Sequence, residues 1–186
     1  MNKATTIFSL LFLLSGSLVA QNTEVDLDQI RKWFRAINAN INQFKMVELL
    51  DVEISRDTTS EKYSVEGGET YRPAAARITK FFNGDELVKL IITFDGDREA
   101  VVSAYYFREG DLFLVDKSKT IYHRPKWHHE FDASKKAIAK NRFYVKDSSL
   151  LKWVDSDLLS IGKTHPDFSE QESIIINDAS VYLAIS

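Results

Sequence analysis

The sequence predicts an α+β fold in which an N-terminal helix packs on a curved antiparallel β-meander and a C-terminal helix follows. Three observations carry this prediction. Leu27, Ile30, Phe34, Ile37, Ile41 and Phe44 recur at spacings of three and four, which lines one face of a helix. Three stretches then copy one another: Phe81-Phe82-Asn83-Gly84-Asp85-Glu86-Leu87, Tyr106-Phe107-Arg108-Glu109-Gly110-Asp111-Leu112 and Tyr144-Val145-Lys146-Asp147-Ser148-Ser149-Leu150. Each gives large apolar residues, a polar tip and a Leu that opens the next apolar run, the order of a β-hairpin. Near the end, Ser169 and Glu172 have capping-box spacing ahead of Ile175, Ala179, Tyr182 and Ile185 at helical intervals.

A chain of 186 residues, 44% hydrophobic and 27% charged, suits one globular domain with a core of its own. Its first residues follow another pattern. Met1-Asn2-Lys3 is basic, Ile7 to Leu14 is an apolar run, and Ser15 to Ala20 ends on a small residue. That order predicts a signal peptide over residues 1–20, with a single α+β domain over 21–186. The apolar run falls short of the roughly 20 residues a membrane span needs, which sets an uncleaved anchor in second place. No later stretch is long and apolar enough to span a bilayer, so a periplasmic or secreted protein is expected.

There is no cysteine, so the domain must be held by packing, and thiol catalysis, cysteine-ligated zinc and a lipid-modified cysteine are excluded. A net charge of −3 without a dense Lys/Arg block gives no electrostatic ground for nucleic-acid binding.

In order, Gln21 to Val25 reads as a linker and Asp26 as the cap of the first helix, with Gln29 as its partner. Asn38, Asn40 and Asn42 are poor helix formers and predict fraying of the last turn. From Lys45 the period becomes two, with Met46, Leu50, Val52 and Ile54 on one side of a strand. Arg56 to Glu69 is a polar connection. Ala74, Ala76, Ile78 and Phe82 form one strand face, and Val88, Leu90, Ile92 and Phe94 the next. Asp95-Gly96-Asp97 turns into a strand from Ala100 to Phe107, and Leu112 to Val115 returns. Asp132 would cap a short helix over Ala133 to Lys140, and 142–145 with 150–154 make the last hairpin. The β-branched residues Ile174, Ile175, Ile176 and Val181 offer a competing strand pair around Asn177-Asp178. Phe82, Phe107 and Val145 occupy one aligned position of the three copies and are expected to face the first helix.

Little here carries chemistry. His123, His128 and His129 share a segment with Glu130 and Asp132, and imidazole with carboxylate is the donor set of a first-row metal. Adjacent histidines diverge on a helix or strand, no His-Glu-x-x-His pattern occurs, and Arg124 and Lys126 would repel a cation, so no metal or cofactor is expected. Ile161-Gly162-Lys163-Thr164 lacks the earlier glycine of a phosphate loop, because Asp157 stands there. Asp95-Gly96-Asp97 lacks the later glycine of a calcium loop, where Ala100 stands. The same histidine-rich segment offers an interaction surface in Tyr122, Arg124, Lys126, Trp127 and Phe131, the mixture found at binding hot spots. The competing expectation is that Trp127 and Phe131 plug the end of the sheet.

The signal peptide, the helix Ile30-Arg31-Lys32-Trp33-Phe34 and hairpins such as Tyr105-Tyr106-Phe107-Arg108-Glu109-Gly110-Asp111-Leu112 resemble a class of uncharacterised exported bacterial α+β proteins. The resemblance implies no activity, ligand or catalytic residue. The leading expectation is a non-enzymatic binding or protein-interaction module, meeting a protein or small ligand outside the cytoplasm. Leu87, Ile91, Tyr105 and Phe113 would add an uncovered apolar sheet face. The alternative is a metal-assisted or acid–base hydrolase centred on His123, His128, His129 and Glu130.

Overall fold

The computed structural model describes residues 23–52 and 76–185. The expected signal peptide and the connection over 56–69 lie outside them. Helix α1 covers residues 23–39, so it starts ahead of the expected cap at Asp26 and takes in part of the expected linker. Arg31 ties its first turns together, pairing with Glu24 at 3.0 Å and Asp28 at 2.6 Å. Leu27 and Ile30 of the predicted stripe are buried. The asparagine-rich end frays as expected: Asn40 leaves the helix, and Ile41–Gln43 tightens into a 3-10 turn. Helix α1 belongs to one compact unit ending at Ala39, and everything from Asn40 onward to another.

Among the described residues, the second unit holds an open eight-stranded antiparallel sheet. Its strands are β1 (Lys45–Val52), β2 (Ala76–Asn83), β3 (Glu86–Asp95), β4 (Glu99–Arg108), β5 (Asp111–Tyr122), β6 (Lys136–Lys146), β7 (Ser149–Val154) and β8 (Ser160–Ile161). Each pairs with its neighbour in sequence, so the whole sheet is one meander. Helix α2 (Phe168–Leu183) follows, where the competing strand pair would have been.

The three copied stretches are three hairpins of one design. Their cross-strand partners are Phe82 with Leu87, Phe107 with Leu112 and Val145 with Leu150. Each return strand then carries one extra residue, respectively Val88, Phe113 and Leu151. Such a bulge reverses which side chains face the core beyond it. Leu87, Leu112 and Leu150 therefore join the same core layer as Leu90, Val115 and Trp153.

That layer is closed by α2. Phe168, Ile175, Ala179 and Tyr182 are buried in one cluster with Ile78, Leu90, Ile92, Tyr105, Phe107, Val115, Phe143 and Val145. The Tyr182 ring meets Tyr105 edge-on at 5.5 Å. At one end of the helix, Glu172 Oε1 accepts the Leu150 amide at 3.1 Å; beyond the other, the Lys80 ammonium donates to the Ile185 carbonyl. Phe107 and Val145, expected to face the first helix, pack in the layer that α2 fills. Ser169 is not the cap: the helix begins at Phe168, and Glu172 spends its carboxylate on the sheet.

Three strand assignments differ from the sequence reading. Met46 and Leu50 are exposed and Leu49 packs on the core, so the inward face is the opposite of the expected one, and a bulge between Leu49 and Val52 then brings Val52 inward as well. Asp51 sits there at φ 55°. Strand β5 runs on to Tyr122 rather than ending at Val115. The expected helix over 133–140 is absent: from Lys136 the chain is β6, in register with β5 from Tyr122–Lys136 to Leu114–Tyr144. Ladder pairing with an extended neighbour outweighs a weak local preference for helix.

The hairpin tips yield a first prediction. Glu109 and Gly110 both have positive φ, as do Asp147 (φ 50°) and Ser148 (φ 56°). Two-residue turns of this hand favour Asp-Gly, and a left-handed L-residue costs about 1–2 kcal/mol. Ser148→Gly is expected to stabilise the protein by about 1 kcal/mol, read as a higher urea midpoint at unchanged slope. An unchanged or lower midpoint would contradict the assignment of strain to Ser148.

Candidate functional site

The long β5–β6 connection is tied down at several points along its length. Pro125 is buried, and its carbonyl accepts the His128 amide at 3.0 Å. The Phe131 amide donates to the His128 carbonyl at 2.8 Å, and the His123 amide to the Lys135 carbonyl at 3.1 Å. At its close, Asp132 Oδ1 accepts from the Ser134 amide at 2.9 Å and the Ser134 hydroxyl at 2.6 Å. Those two bonds are the main reason the Asp132 carboxyl titrates below its ordinary range, with Lys135 and His123 adding charge attraction. Asp132 thus caps a turn, not a helix.

The connection is also tied to the β3–β4 turn. The Tyr122 amide donates to the Arg98 carbonyl at 2.9 Å and the Lys126 amide to the Asp97 carbonyl at 3.0 Å. The Lys126 ammonium pairs with Asp95 and lies 5.3 Å from the centre of the Tyr122 ring.

On this frame the five predicted surface residues separate into two kinds. Tyr122 and Phe131 meet edge-on at 5.5 Å, and Phe131 stacks on His123 at 6.5 Å, so the half-buried Phe131 packs on the end of β5. Trp127 does not: it is 67% exposed, which removes the expectation that it plugs the sheet. Arg124 is exposed and pairs with Glu130 at 2.8 Å, while Lys126 is half-buried.

The predicted hydrolytic residues divide as well. His128 and His129 lie in a turn rather than a helix or strand, and their rings stack at 4.6 Å instead of diverging. With Glu130 they place three donor atoms within 4.8 Å of one another. His123 stands apart, its Nδ1 3.1 Å from the Lys135 carbonyl oxygen.

Three of the four positions expected to form an uncovered apolar face are covered. Tyr105 is buried beside Tyr182, Leu87 joins the α2 layer, and Phe113 is buried 6.2 Å from the Tyr106 ring. The bulges account for the difference, because strict alternation fails at Val88 and Phe113.

Sequence reasoning missed a polar group on the sheet face opposite α2. Lys89 is buried next to its cross-strand partner Tyr106, with the ammonium 4.8 Å from the ring centre. Burial lowers the Lys89 pKa, and Asp116 partly offsets this by attraction. Asp116 in turn accepts two bonds from Arg142, at 2.5 and 2.9 Å, which hold the Arg142 guanidinium charged more firmly than usual. Asp116 and Arg142 face each other across β5 and β6, a pairing hidden while 133–140 reads as a helix. No family model, curated protein or solved structure matches the chain.

Proposed function

We infer that this chain is an exported, non-enzymatic interaction module whose contact surface is the β5–β6 connection, anchored by Trp127. The observation that carries this reading is a large indole left 67% exposed on a connection fixed by backbone hydrogen bonds. Leaving such a side chain in water forgoes roughly 2–3 kcal/mol of burial. Tryptophan and arginine are the residues that dominate binding energy at interfaces, and a pre-formed loop has little ordering entropy to lose on association. Arg124 stands within the same turn, and Lys126 immediately before the indole adds a cation. The basic, apolar and small-residue order of residues 1–20 is what supports the export part of this reading.

The test is a photo-reactive residue at position 127, compared with one at Leu158, which is 84% exposed on another loop. In the cells that make the protein, position 127 is expected to give a discrete adduct and position 158 none. Trp127→Ala is expected to leave the melting temperature unchanged while abolishing co-purification of the cross-linked species. Equal adducts at both positions, or retention of the partner by Trp127→Ala, would overturn the reading.

A further inference from the structure

We propose that His128, His129 and Glu130 form an exchangeable site for a divalent first-row transition ion such as Cu²⁺, Ni²⁺ or Zn²⁺, which enters by displacing the Arg124 guanidinium. The donor set comes first. Two imidazoles and a carboxylate suit these ions, and the three donor atoms lie within 4.8 Å of one another. Three protein ligands leave the remaining coordination positions to water.

The second observation is that a cation already rests on two of the same three side chains. Arg124 Nη2 is 2.8 Å from Glu130 Oε2, and its Nη1 is 3.3 Å from His128 Nε2. The cluster therefore attracts positive charge, and Arg124 competes with the metal without excluding it.

The third is a conflict within His128. The Glu130 amide lies 3.1 Å from Nδ1 while Arg124 approaches Nε2, yet a neutral imidazole has one acceptor nitrogen for these two donors. One contact is left without a lone pair. A metal at Nε2 takes the lone pair there; the ring proton then sits on Nδ1, and the Glu130 amide contact is given up.

This inference is independent of the interaction reading, because it needs no partner and no contribution from Trp127. Trp127 serves only as a reporter, its ring 6.1 Å from that of His128. Open-shell ions quench nearby indole fluorescence, and Trp127→Phe separates this signal from Trp33 and Trp153.

The experiment titrates the full chain with Cu²⁺ or Ni²⁺ alone, following fluorescence and, in parallel, heat. Saturable binding of one ion per chain is expected, absent in His128→Ala and His129→Ala and unchanged in His165→Ala. Arg124→Ala is expected to tighten binding about two- to fivefold, the range of an exposed ion pair removed from competition. Circular dichroism checks that each variant is folded. Wild-type binding in the double variant His128→Ala/His129→Ala, or weaker binding in Arg124→Ala, would overturn the site.

Discussion

Tyr182→Ala is expected to cost about 3–5 kcal/mol, the largest loss from any single truncation considered for this protein. The side chain is 1% exposed and seals α2 onto the sheet against Tyr105. Its removal leaves a cavity between two layers that cannot close, since the three hairpins fix the sheet beneath. For a domain of this size the melting temperature should fall by roughly 10 °C, and the urea midpoint with it. A double-mutant cycle with Tyr105→Leu should recover about 0.5–1.5 kcal/mol of coupling for the ring pair. A loss below about 1 kcal/mol would mean that α2 is not what closes this core.

Asp116→Ala is the second large effect, at about 2 kcal/mol after allowance for partial solvent exposure of both partners. It strips Arg142 of two hydrogen bonds and removes the attraction that supports the Lys89 charge. The sign of the pH response follows from Lys89. Its folded pKa is lowered below 10.5, so the unfolded chain binds more protons between the two values, and this group adds stability as pH rises through that window. Without Asp116 the folded pKa falls further, so the gain must begin at a lower pH. Urea titrations across the alkaline range, normalised to Lys89→Met, read this directly. A gain that starts at higher pH in Asp116→Ala would sink the assignment.

The parts of the fold legible in the sequence are those whose signal is local. Gly84 and Gly110 marked their turns, and the run Leu90, Ile92, Phe94 marked a buried strand face, because each acts within a few residues. The bulges at Val88, Phe113 and Leu151 left no such mark, and they decide which residues line the core. Strand β6 is hidden for a related reason: Lys136 to Lys140 are all exposed, so no alternation of burial marks the strand, and only β5 alongside makes it one. Within the site, the exposure of Trp127 and the convergence of His128 with His129 both depend on the turn at Pro125, whose geometry the residue types do not encode singly.

The meander has a consequence for synthesis. Every strand pairs with the one before it, so the sheet can assemble piece by piece as the chain emerges, at about 5–20 residues per second. Helix α2 comes after all eight strands, and its hold reaches back from Ile185 to Lys80. Until it emerges, Ile78, Leu90, Ile92, Phe107, Val115 and Val145 form a finished apolar floor with no roof. A chain stalled or clipped before Phe168 would present that floor to its neighbours, so such fragments are the species a chaperone or protease must find first.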